Sequence, residues 1–122
     1  MTQSFLREIL PSILGDHFDL VFHQKLGNVL TKQMELEIHL DEKNNLPHGY
    51  LSSDYESKGF LPSSRIQDFP IRDQAVYLVI RRRRWRHKKT KKEIRSDYSF
   101  IAKGSKLTQE LSDFLKATNR YS

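Results

Sequence analysis

From Ala75 to Lys92 the chain changes character half-way along one run of strand-forming residues, and that change limits what it can fold into. Tyr77 and Val79 fall on one face of the alternation, Val76, Leu78 and Ile80 on the other. A strand apolar on both faces belongs inside a fold. Further along, both faces turn cationic, with Arg81, Arg83 and Trp85 on one and Arg82, Arg84 and Arg86 on the other. Nine of the twelve residues from Arg81 to Lys92 are Lys or Arg, and none is acidic. This pattern predicts a strand that begins in the core and leaves it. His87 to Lys92 reads as the tip of a β-hairpin, and Ile94, Tyr98 and Phe100 share a face of the returning strand. A basic β-hairpin over 75–101, projecting from the body, is the expected result.

Across the chain 21 basic residues face 15 acidic ones, a net charge of +6. Without the nine in this segment, 12 face 15, a net of −3. The protein is therefore a mildly acidic body with one concentrated cationic patch, which points to a polyanionic partner. DNA or RNA phosphate leads the candidates. With 122 residues, 37% hydrophobic and 30% charged, the composition is that of one folded, rather polar domain spanning 1–122. There is no cysteine, so disulfides and thiolate metal sites are excluded. The N-terminus lacks the basic lead of a signal peptide. The longest uncharged apolar stretch, Ala75 to Ile80, is far too short to cross a bilayer. No membrane partner is expected, and a cytoplasmic location is the default.

The rest of the chain supplies elements around that strand. Phe5, Leu6, Ile9, Leu10, Ile13 and Leu14 recur at helical spacing, with Thr2 or Ser4 as cap, Gly15 as stop and a kink at Pro11. Phe18, Leu20 and Phe22, then Gly27-Asn28, then Met34, Leu36, Ile38 and Leu40 read as a hairpin whose second strand is buried on one face. Lys43 to Ser64 is rich in turn formers and reads as irregular, packed down by Tyr50, Tyr55, Phe60 and Leu61. Ile66 to Phe69 reads as a short strand ended by Pro70. Leu107, Leu111, Phe114 and Leu115 mark a final helix, with Ser105 as its cap. The expected fold is α+β: an N-terminal helix, an antiparallel sheet built from two β-hairpins, and a C-terminal helix.

Only the basic hairpin carries a chemical signal. Like charges packed along one strand repel, and an external anion relieves them. Several Lys and Arg on phosphates give sequence-independent affinity, and a two-stranded ribbon fits the major groove, where Arg reads guanine. The plainer alternative is a charged edge that blocks aggregation. Trp85 either stacks on a base or anchors the hairpin where it leaves the body. The five histidines show no ligand spacing, and there is no Gly-x-Ser-x-Gly, P-loop or Cys nucleophile. Asp41-Glu42 and Asp54 with Glu56 read as solvated carboxylates. No catalytic residue, cofactor or metal is expected. The final helix, with Lys106, Lys116 and Arg120, reads as a packing helix, not the start of a helix-turn-helix.

Several stretches resemble the N-terminal region proteins of certain bacterial insertion-sequence transposases. They are Leu40-Asp41-Glu42-Lys43-Asn44, Glu56-Ser57-Lys58-Gly59-Phe60-Leu61-Pro62, Ile66-Gln67-Asp68-Phe69-Pro70, Val76 to Trp85, and Ser99 to Tyr121. The Asp-Phe-Pro followed by the apolar strand and its Arg-rich end is the most specific part, and with the N-terminal helix the likeness covers nearly the whole chain. In related transposases a zinc ribbon and a helix-turn-helix bind the element's terminal repeats, and a catalytic domain with three carboxylates follows. The resemblance thus implies a ribbon-like, end-recognising region. The Cys pairs are missing, so it implies a ribbon without metal, with Pro47-His48-Gly49 and His87 near the positions of the knuckles. It also implies that the catalytic part is encoded separately.

The expected function is DNA binding to the terminal repeats of a mobile element, with no catalysis. Arg81, Arg82, Arg83, Arg84, Arg86, Lys88, Lys89, Lys91 and Lys92 are expected on phosphates, with one or two arginines reading bases and Trp85 positioning the hairpin or stacking. About six engaged phosphates give a slope of log K against log salt near −5. A different class of function is a protein-interaction or regulatory module docking on a separately encoded catalytic subunit. RNA binding is a weaker alternative, which predicts a preference for single-stranded or structured RNA.

Overall fold

Two stretches of alternating sequence dictate the centre of the fold. In Met34–Glu42 (β2), Leu36, Ile38, Leu40 and Glu42 turn inward and Glu35, Glu37, His39 and Asp41 outward. In Gln74–Arg81 (β5), Val76, Leu78 and Ile80 turn inward. The computed structural model describes residues 12–27, 29, 30, 32–71, 74–99 and 108–116. In it the two strands pair in parallel, with Leu36 beside Val76, Ile38 beside Leu78 and Leu40 beside Ile80. Phe18–Gly27 (β1) pairs antiparallel with β2, and Ser64–Ile71 (β4) pairs antiparallel with β5, giving the order β1-β2-β5-β4.

The protein is α+β, with helices towards both ends. The first hairpin forms as expected from the β1 and β2 pattern. The sheet it belongs to is mixed, however, and not antiparallel throughout. The parallel pairing sets Asp41, near the end of β2, opposite Arg81, the last residue of β5.

The single strand expected over Ala75–Trp85 is two strands in two sheets. Regular pairing stops at Arg82, and Arg83–His87 (β6) then joins Tyr55–Phe60 (β3) and Glu93–Ile94 (β7) in a second, antiparallel sheet ordered β3-β6-β7. β3 lies inside the stretch expected to be irregular. Its Glu-Ser-Lys-Gly composition hides it, and Gly59 (φ +84°) sits where the register shifts between Ser57 and Phe60, a bulge that favours glycine. β4 is longer than expected and runs past Pro70. It is the edge of its sheet, where the N–H that proline lacks is not needed. The return strand is short: Tyr98 lies beyond β7 and packs in the core, and Phe100 is outside the described residues.

Among the described residues, two helices cover the inner face. Ser12–His17 (α1) continues through Gly15, the expected stop, and buries Leu14. The pattern over Phe5–Leu10 and the kink at Pro11 lie outside the described residues. Gln109–Lys116 (α2) buries Leu111 and Leu115. Its cap is Thr108, whose hydroxyl accepts the Leu111 N–H at 3.2 Å. Ser105, Lys106, Leu107 and Arg120 are outside the described residues. Leu14, Phe18, Leu20, Leu36, Ile38, Leu40, Ile66, Val76, Leu78, Ile80, Tyr98, Leu111 and Leu115 make one core, against which Phe114 packs.

Candidate nucleic-acid interface

An arginine offers five N–H donors, and what they bond decides whether its charge is free for a partner. Arg81 is half exposed and forms a two-pronged ion pair with Asp41, at 2.7 Å from Nε and 2.5 Å from Nη2. Arg82 is only 4% exposed and donates from Nη2 to the Ser96 carbonyl. Burial lowers its pKa, while Glu42 and Tyr98 oppose that shift. The Arg83 main-chain N–H donates to Glu42 Oε1 at 2.8 Å, and its guanidinium reaches the Glu42 carbonyl and Ser57 Oγ. Arg81 and Arg83 both lie over the Phe60 ring, at 4.2 and 4.5 Å from its centre.

Outward along β6 the arrangement continues. Arg84 donates to the Lys58 carbonyl at 3.1 Å and to Glu93 at 3.0 Å. Arg86 donates to Glu56 at 3.2 Å, and that bond is the main reason the Glu56 carboxyl titrates below its ordinary range. Trp85 is 1% exposed, and its indole N–H donates to Asn44 Oδ1 at 2.9 Å. In this fold Trp85 anchors the hairpin, and its ring is not presented for stacking on a base.

The tip is different. His87 Nδ1 accepts the main-chain N–H groups of Lys89 and Thr90, both at 3.1 Å. The His87 N–H donates to the Lys92 carbonyl at 2.8 Å, and Lys91 takes a positive φ of 65° to close the turn. Lys88, Lys89, Lys91 and Lys92 are exposed. None of their ammonium groups has a hydrogen bond or ion pair to another described residue. Lys91 lies close enough to Glu56 to help hold its pKa down.

The cationic run therefore divides. Arg81, Arg82, Arg83, Arg84 and Arg86 are set against Asp41, Glu42, Glu56 and Glu93, which removes most of their net charge. Four lysines without a hydrogen bond or ion pair among the described residues stand together on a turn fixed by its own main-chain bonds. All ten residues singled out from the sequence lie on β5, β6, the Arg82 link between them and this turn, but they are not equivalent. Glu42 was read as a solvated carboxylate and is instead 3% exposed; Tyr98 donates its O–H to Glu42 Oε2. Burial, with Glu42 beside it, pushes the Tyr98 pKa well up. The inward parity of Glu42 with Leu36, Ile38 and Leu40 was the signal for that.

Beside the hairpin the sequence gives only a hint, its Tyr50 and Tyr55 among turn formers. In the structure Asn44, Asn45, Tyr50, Ser52, Tyr55 and Ser57 surround an open groove. Among the described residues no group of three or more His, Cys, Asp or Glu converges as a metal site, and no helix is long and apolar enough to cross a membrane. No family model, curated protein or solved structure matches this chain.

Proposed function

We propose that this chain is a non-catalytic DNA-binding module, the N-terminal, end-recognising region of an insertion-sequence transposase, acting in the cytoplasm. One observation carries the reading. Lys88, Lys89, Lys91 and Lys92, the cations of the basic run whose side chains make no hydrogen bond or ion pair among the described residues, are gathered on one exposed turn. The arginines serve as the frame that holds this turn out from the body. Lysine suits the role, because it binds phosphate as a point charge without demanding one geometry. The likeness of the sequence motifs to transposase N-terminal regions supplies the biological setting. The small sheet β3-β6-β7 is then the metal-free counterpart of the ribbon.

Binding of labelled duplex DNA across a salt series tests this. Four phosphate contacts give a slope of log K against log salt of about −3.6, shallower than nine cations would give. Changing Lys88, Lys89, Lys91 and Lys92 together to Ala should abolish binding and leave the melting temperature unchanged. Changing Arg84 to Ala should weaken the fold more than it weakens the contact. A tip variant that binds as tightly as the parent would end the proposal. Competition between mobile-element ends and unrelated duplex then measures specificity.

A second reading has its own observation. Val29 and Leu30, at the turn between β1 and β2, are 89% and 93% exposed, and Leu26 and Met34 flank them. An apolar turn of this kind suits docking on a separately made catalytic subunit. Co-purification with that subunit, in the presence of nuclease, should be lost on changing Val29 and Leu30 to Ser; retention would remove this reading.

A further inference from the structure

We propose that the groove beside the hairpin receives an unpaired nucleotide base, so that the tip grips duplex phosphates while the body holds an extruded or single-stranded nucleotide. This inference rests on the DNA-binding reading above. The groove encloses about 670 Å³, within the roughly 300–1,000 Å³ usual for small-ligand clefts. Trp85, buried and tied to Asn44, forms part of its wall.

Its lining suits a base on three counts. Tyr50 is exposed at the groove and meets Tyr55 edge-on at 5.3 Å, and Tyr55 meets His87 edge-on at 5.0 Å. A series of rings thus leads from the groove to the first residue of the lysine turn. Aromatic faces stack on any base, since every base has a π-face. Second, Asn44 uses its amide oxygen on Trp85, which fixes the amide and leaves its N–H donors for the acceptors on a base edge. Asn45 and Ser52 add further polar groups. Third, the Lys88 N–H donates to the Asp54 carbonyl at 2.8 Å, so the lysine turn is bonded to the segment that carries the groove's rings. A ligand that fits both parts needs a flat polar ring joined to an anion, which describes a nucleotide.

The test compares a blunt duplex of about 25 base pairs, long enough for full phosphate contact, with the same duplex bearing a short single-stranded overhang that contains 2-aminopurine. The overhang should tighten binding by about tenfold, and its 2-aminopurine emission should fall on stacking. Tyr50→Ala, at an exposed ring, should remove both effects and leave blunt-duplex affinity unchanged. Changing the four tip lysines should weaken both DNAs. If the blunt duplex binds and the overhang adds nothing, or adds a gain that Tyr50→Ala keeps, the groove is not a base site although the DNA-binding reading stands. If neither DNA binds, both proposals fall.

Discussion

Asp41 and Arg81 sit opposite each other across the parallel β2–β5 pair and close a two-pronged ion pair, while the next residue on β2, Glu42, turns inward. Neighbouring carboxylates on one strand thus face opposite sides of the sheet, one towards water and one towards the buried Arg82 and Tyr98. The same chemistry in two environments has two different energetic consequences.

Asp41→Asn should cost below about 1 kcal/mol, because both partners are partly exposed and water screens the pair. Glu42→Gln should cost more, about 1.5–3 kcal/mol, because the buried carboxylate accepts the Arg83 main-chain N–H and the Tyr98 O–H. Urea unfolding of the two variants measures this directly. Equal losses would mean that the charge of Glu42 contributes nothing to these buried bonds.

Trp85 is the chain's one tryptophan, so its emission reports the anchor alone. Its emission should be blue-shifted and poorly quenched by iodide, and should not change when blunt duplex DNA is added. A Trp85→Ala variant should lose about 3–5 kcal/mol of stability. Strong quenching by blunt duplex would show that the indole leaves Asn44 and stacks.

Glu37 gives the fold an acid-sensitive contact. Its carboxyl accepts the Gln24 amide at 2.9 Å and lies 2.7 Å from His39, with Arg65 at 3.3 Å. The Gln24 bond first, then His39, holds its pKa below the usual 4.5, against the opposing effect of burial. A carboxyl whose folded pKa is depressed contributes stability above its unfolded value, and loses it as pH falls through the folded value. Stability should therefore fall below about pH 4.5, and Glu37→Gln should flatten that limb. Unfolding free energies at a series of acid pH values, compared between the two proteins, check the slope.

The fold was legible where one face of an element is buried. Alternation in β2 and the apolar start of β5 were enough for the core, and Leu111, Phe114 and Leu115 for the last helix. β3 was not legible, because its residues gain their strand character from pairing with β6 and not from their own composition. The break at Arg82 was hidden for a related reason: Arg81 to Arg86 look alike in sequence, and only their partners, remote along the chain at Asp41, Glu42 and Glu56, tell them apart. The location of the cationic site was readable from charge density. Its division into framing arginines and presenting lysines depended on acids more than 25 residues away in sequence for three of the pairs.

The passage of the chain from β5 through Arg82 into β6 joins the two sheets without an intervening loop. A ribbon fixed in this way has little left to order when a ligand arrives. Calorimetry of duplex association should accordingly give a heat-capacity change far smaller than that of a segment that folds as it binds, and the encounter should need no slow rearrangement step.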